Sequence, residues 1–225
     1  METLIDFSLV FVFFLKMLSR IIKQEDNDNM YNKHVSFSHD SRFLAFVISN
    51  TDIIIRSTND WNVIKTISRK NGGFGEIAFS GNGLWFATIT TDPDSISIFS
   101  TSGDWKLLLS LKQSNLHSIC FSQDSVYMAC GCLSGNIIIY RTNVNTSSKG
   151  PNTKTRTNCQ WDIVNRIDGN RHDVVETIKF SPDNKLFAVV YSSGSVKIFD
   201  ITTWTLVKIL DTNYSNNVKS LCFSP

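Results

Sequence analysis

The chain has 225 residues, 42% hydrophobic and 19% charged, with a net charge of +2. This is a globular balance with room for a sizeable core, in one large all-β domain or two small ones, and the charge is too mild to argue for nucleic acid by itself. Five cysteines (Cys120, Cys130, Cys132, Cys159, Cys222) make an odd number without zinc-finger spacing, which fits reduced thiols in an intracellular protein rather than a disulfide framework.

From the N-terminus, residues 7–15 read FSLVFVFFL, apolar for only nine positions before Lys16. A membrane-spanning helix needs about 20 apolar residues, so this segment is too short to be one. Glu2 and Asp6 precede it, no base does, and no A-x-A site follows. Residues 1–24 are therefore read as β-structure, with a signal or anchor as the alternative.

Beyond residue 33 the sequence has a period. Phe-Ser pairs begin at Phe37, Phe79, Phe121, Phe180 and Phe223, with spacings of 42, 42, 59 and 43. Eight residues after each of the first four stands an alanine: Ala45, Ala87, Ala129 and Ala188. Ile55, Ile98, Ile139 and Ile198 follow, and then Trp61, Trp105, Trp161 and Trp204 each open a further apolar run. A fixed period of this length marks architectures in which each unit buries its face against the next.

Each unit divides into four short runs. The third has SICFS at 118–122, VYMACGC at 126–132, NIIIY at 136–140 and WDIVNRI at 161–167. Runs this short and this rich in β-branched and aromatic residues predict strands. Asp or Asn within SHDSR, SGNGL, SQDSV and SPDNK predicts tight turns after the first strand. The predicted fold is an all-β propeller of four-stranded antiparallel blades of about 42 residues. Complete blades are expected over 33–67, 75–111, 117–167 and 174–210, with another starting at 218. Residues 10–14 and 19–23 stand where the last two strands of a preceding blade would. Closure removes exposed sheet edges, so the chain is expected to be part of a larger propeller, a truncated product, or completed by another chain. The alanines are expected where inner strands crowd near the axis, and the tryptophans where blade packs on blade.

The one long spacing comes from residues 141–160, RTNVNTSSKGPNTKTRTNCQ, which predict a flexible polar loop between third and fourth strands. It carries Arg141, Lys149, Lys154 and Arg156 and no acid.

Residues 172–210, with FSPDNKLFA and VKIFD, resemble a repeat of the WD-repeat β-propeller family. The resemblance covers residues 33–225 and implies a scaffold that presents partners on the rim and faces of a rigid disc. The departures are specific. Only Phe199-Asp200 keeps the acid of the family's Trp-Asp pair, while Arg56-Ser57, Phe99-Ser100 and Tyr140-Arg141 occupy that place in the other units. The Gly-His pair is shadowed by Arg171-His172, and the turn aspartate survives as Asp52 but is lost at Ser193. The family's buried hydrogen-bond network is thus expected to be largely missing, with apolar packing holding the blades.

No constellation of residues points to catalysis, a metal or a cofactor. Cys130 and Cys132 share one face of a strand near Cys120, with His117 as the one histidine in reach; they read as small apolar core residues. NGGFG at 71–75 lies between two strands rather than before a helix, so it reads as a connecting loop and not a phosphate cradle. The expected function is a non-catalytic protein–protein interaction scaffold within a multi-subunit complex, in the cytoplasm or nucleus. Contacts are expected at Arg69, Lys70, Phe74, Arg171 and His172, in loops leading into first strands, and at Arg141, Lys149, Lys154 and Arg156. The alternative is RNA or an anionic surface bound through 141–160.

Overall fold

A computed structural model of the chain describes residues 34–49, 51–145, 158–210, 218 and 221–224. Among these residues every regular element is a strand. The first sheet contains β1 (Val35–Phe37), β2 (Phe43–Ser49), β3 (Asp52–Ser57) and β4 (Val63–Ser68). The second contains β5 (Phe74–Phe79), β6 (Trp85–Thr90), β7 (Ser95–Ser100) and β8 (Leu107–Lys112). The third contains β9 (Leu116–Phe121), β10 (Tyr127–Cys132), β11 (Ile137–Asn145) and β12 (Asn158–Ile167). The fourth contains β13 (Val175–Phe180), β14 (Leu186–Tyr191), β15 (Val196–Asp200) and β16 (Leu206–Leu210). Each sheet is an antiparallel meander in chain order, the arrangement of a propeller blade.

The periodic residues have defined partners. Ala45 pairs with Ile55, Ala87 with Ile98, Ala129 with Ile139 and Ala188 with Ile198, always second strand to third. The alanines are at most 2% exposed. Between sheets, β1 packs on β5, β5 on β9 and β9 on β13, so the first strands line a common axis. The apolar core lies between sheets rather than within them. Val47 and Ile55 of the first sheet meet Phe74 and Ile77 of the second. Ile89 and Ile98 meet Ile119 and Cys130, and Ala129 and Ile139 meet Val175 and Ile178.

The tryptophans bolt these interfaces. Trp105 lies 5.3 Å from Phe43 in the preceding sheet, Trp161 lies 5.3 Å from Trp85, and Trp204 lies 5.0 Å from Tyr127, all edge to face. Phe43, Trp85 and Tyr127 each stand six residues after the phenylalanine of their own repeat. Such aromatic pairs add about 0.5–1.5 kcal/mol each beyond the area they bury. The interfaces are close: a Cβ on Gly131 of β10 would stand 2.2 Å from a Val175 methyl of β13.

The serine of each Phe-Ser pair has a role that the spacing alone did not reveal. Ser38, Ser80, Ser122 and Ser181 are buried. Each donates its hydroxyl to the Asp or Asn two residues on: Asp40, Asn82, Asp124 or Asp183, at 2.6–2.7 Å. Each hydroxyl also accepts the backbone N–H of the residue five on, at 2.9 Å. Three residues after the serine, Ser41, Gly83, Ser125 and Asn184 take positive φ of 55–67° to close the turn. Ser122→Ala leaves the amide of Tyr127 without its side-chain acceptor and is expected to cost about 1–3 kcal/mol in thermal or urea unfolding.

Three expectations meet a different structure or fall outside it. The loop expected over 141–160 is shorter, because β11 continues to Asn145 and β12 begins at Asn158, paired through Asn143↔Gln160 and Val144↔Cys159. Extending the ladder satisfies backbone groups that a polar loop would leave to water. Val218 and residues 221–224 form no strand, since they pair with no described strand. Residues 1–24, Lys149, Lys154 and Arg156 lie outside the described residues.

Candidate functional site

The antiparallel order gives the molecule two ends. At the entry face lie the loops leading into first strands, 69–73, 113–115 and 168–174, together with the second-to-third-strand turns. At the turn face lie the Ser-Asp turns and the third-to-fourth-strand connections. Arg69, Lys70, Arg171 and His172 therefore stand on the entry face, while Arg141 lies on β11 toward the opposite face. Among the described residues, Arg141 therefore does not share a surface with Arg69, Lys70, Arg171 and His172.

Entry-face loops are braced by hydrogen bonds. The Arg69 guanidinium donates to the carbonyls of Asn71 at 3.2 Å, Thr91 at 3.3 Å and Asp92 at 3.1 Å. Gly73 donates its amide to the Thr91 hydroxyl at 2.8 Å. Gly72 has a φ of 72°, and a Cβ there would lie 1.8 Å from the Thr91 carbonyl oxygen, so the NGGFG stretch is a loop locked onto the neighbouring turn. In the fourth sheet Asp173 accepts from the Ser192 hydroxyl at 3.2 Å and from the Ser193 amide and hydroxyl at 2.8 and 2.9 Å. Polar bracing thus persists at positions other than those of the family pattern. Lys70, Arg171 and His172 are exposed. Phe74 is only 7% exposed, and its ring belongs to the core. Arg141 donates to the Tyr127 hydroxyl at 3.1 Å and stacks over that ring.

The second candidate lies on the axis. A cavity of about 260 Å³ is walled by the first-strand regions of all four sheets, with His34, Ser36, Glu76, Ile119, Cys120 and Lys179 among its lining. Glu76 reaches from β5 to β9, where its carboxylate accepts the edge N–H of Ile119 at 2.6 Å. Burial pushes Glu76 up to about 7, against the opposing pull of that hydrogen bond and of the nearby Lys179 charge. Neither residue was singled out in the sequence. The available signal was a charge in strands whose other positions read as core: Glu76 three residues before Phe79, and Lys179 one before Phe180.

The thiols sit apart from any ligand set. Cys130 and Cys132 are buried in the core between second and third sheets. Burial pushes the thiols of Cys130, Cys132 and Cys120 up, which keeps them protonated. His117 faces the Val175 carbonyl at 3.2 Å instead. Among the described residues no group of three His, Cys, Asp or Glu is placed to hold a metal ion.

Comparison with known families matches this architecture twice. A family model for the WD domain, G-beta repeat, matches residues 105–141. Over that stretch the chain is similar to the WD-repeat family. A second family model, for the anaphase-promoting complex subunit 4 WD40 domain, matches residues 155–224. No curated protein matches the chain. The repeat match begins at Trp105 and ends at Arg141, so the matched stretch joins the fourth strand of one blade to the first three of the next. WD-repeat domains generally act as protein-interaction scaffolds and are typically non-catalytic. No helix among the described residues is long and apolar enough to cross a membrane.

Proposed function

We propose that this WD-repeat chain is a non-catalytic scaffold subunit of a multi-protein assembly and that it docks its partner on the entry face. The observation that carries this reading is the bracing of that face: Arg69 ties three carbonyls of two loops, and Asp173 ties Ser192 and Ser193. Loops already fixed lose little conformational entropy on binding. Exposed Lys70, Arg171 and His172 on those loops suit an acidic partner segment. The match to a family named for a subunit of a complex supports membership of an assembly. An intracellular site of action is in keeping with the free thiols of Cys120, Cys130, Cys132 and Cys222.

The test is cross-linking and capture of partners in cells by the wild-type chain and by a Lys70→Glu, Arg171→Glu, His172→Asp variant, with Arg141→Glu as the turn-face control. The entry-face variant is expected to lose more than about 90% of the captured partner while the control keeps it, since reversed rim charges cost complementarity. Equal capture by all three proteins would rule out the entry face. RNA bound through 141–160 is the other reading of the sequence. Of its four cations only Arg141 is described, and its guanidinium is already engaged by Tyr127.

A further inference from the structure

We propose that the axial cavity is a binding site for a small oxyanion, held by the ammonium of Lys179 beside the carboxyl of Glu76. The site is separate from the entry face and does not depend on it. Its chemistry follows from which groups around the cavity have unspent hydrogen-bonding capacity. Four titratable groups face it, one from each sheet: His34, Glu76, Cys120 and Lys179. The Cys120 thiol donates to the Phe121 carbonyl at 3.4 Å. His34 has interactions of its own. One Glu76 oxygen accepts the Ile119 amide. Among the described residues the Lys179 ammonium makes no hydrogen bond and no ion pair, which leaves its donors directed at a cavity with room for a small ion and water.

A cation would have to settle beside the Lys179 charge and share a carboxyl already engaged by Ile119. An oxyanion meets the opposite situation: it accepts from Lys179, and a protonated Glu76 offers it a second donor. Near neutral pH, binding draws a proton onto Glu76, so affinity falls as pH rises through about 7. A free inorganic anion and an acidic side chain inserted by a partner share this chemistry.

The experiment is a titration of the 225-residue chain with sulfate at pH 6 and pH 8. Chloride holds the ionic strength constant, and the amide resonances of Glu76, Ile119 and Lys179 are followed. Sulfate keeps its charge over this range, so any pH dependence belongs to the protein. Saturable shifts are expected at pH 6, with affinity about tenfold weaker at pH 8, the ratio of protonated Glu76 at the two pH values for a group that titrates at about 7. Lys179→Met is expected to abolish saturation and Lys179→Arg to keep it. Glu76→Gln should bind equally at both pH values. Capped glutamate amide is the second probe: binding equal to sulfate assigns the site to an inserted side chain, and binding by sulfate alone assigns it to a free anion. Absence of saturable shifts at these amides at pH 6, or unchanged binding by Lys179→Met, would overturn the proposal.

Discussion

Replacing Glu76 with glutamine is expected to raise the melting temperature at pH 8 and leave it unchanged at pH 4. A carboxyl lifted from 4.5 to about 7 in the fold binds its proton more tightly when folded than when unfolded. Its contribution to stability is therefore fully present below about 4.5 and is lost as pH rises through about 7, where the buried group must ionise. The shift corresponds to about 3 kcal/mol at most. Glutamine keeps an oxygen that accepts the Ile119 amide and removes the ionisation. The difference between variant and wild type should thus grow from nothing at pH 4 to a plateau above pH 7. At about 2–4 °C per kcal/mol for a chain of this size, that plateau is at most about 6–12 °C. Melts in chloride buffers keep anion binding out of the comparison. A difference that does not change with pH would show that Glu76 is solvated and that the first strands do not enclose it.

The second large effect is expected at Trp161. Its ring meets Trp85 at 5.3 Å and Phe121 at 5.9 Å, both edge to face, at the interface of second and third sheets. Trp161→Ala should cost about 3–5 kcal/mol through lost burial and the cavity left behind, and lower the melting temperature by about 10 °C. Trp161→Phe should cost less than half as much. It preserves an aromatic face for Trp85, and the buried indole N–H has no acceptor among the described residues, so no hydrogen bond is lost. Leu107, 55% exposed on the neighbouring outer strand, is the reference truncation. If Trp161→Ala costs no more than Leu107→Ala, the tryptophans are not what fastens one sheet to the next.

Much of this fold could be read from the spacing of phenylalanine, alanine, isoleucine and tryptophan, because each mark answers a demand repeated in every blade. Alanine pairs with isoleucine in the middle of each sheet, and tryptophan reaches the aromatic residue of the sheet before it. The serine of Phe-Ser escaped because a short polar residue beside a turn reads the same whether it points to water or closes a buried network. The extension of β11 and β12 was hidden by a polar composition that says loop, while backbone pairing makes no demand on side-chain polarity. At the candidate sites, spacing located the loops but could not tell a braced arginine from a free one. Arg69 is committed to carbonyls and Phe74 to the core, whereas Lys70, Arg171 and His172 reach solvent. The axial pair escaped for a further reason. Glu76 and Lys179 are about 100 residues apart in sequence, and only the stacking of first strands about an axis brings them to one cavity.

Sheets stacked face to face around that axis are the basis of the fold, and ring contacts test that stacking most directly. A nuclear Overhauser spectrum of the chain, protonated only at its aromatic rings, should connect Trp105 with Phe43, Trp161 with Trp85, and Trp204 with Tyr127, each link crossing from one sheet to the one before it. A spectrum in which each tryptophan contacts rings of its own sheet alone would contradict the stacking.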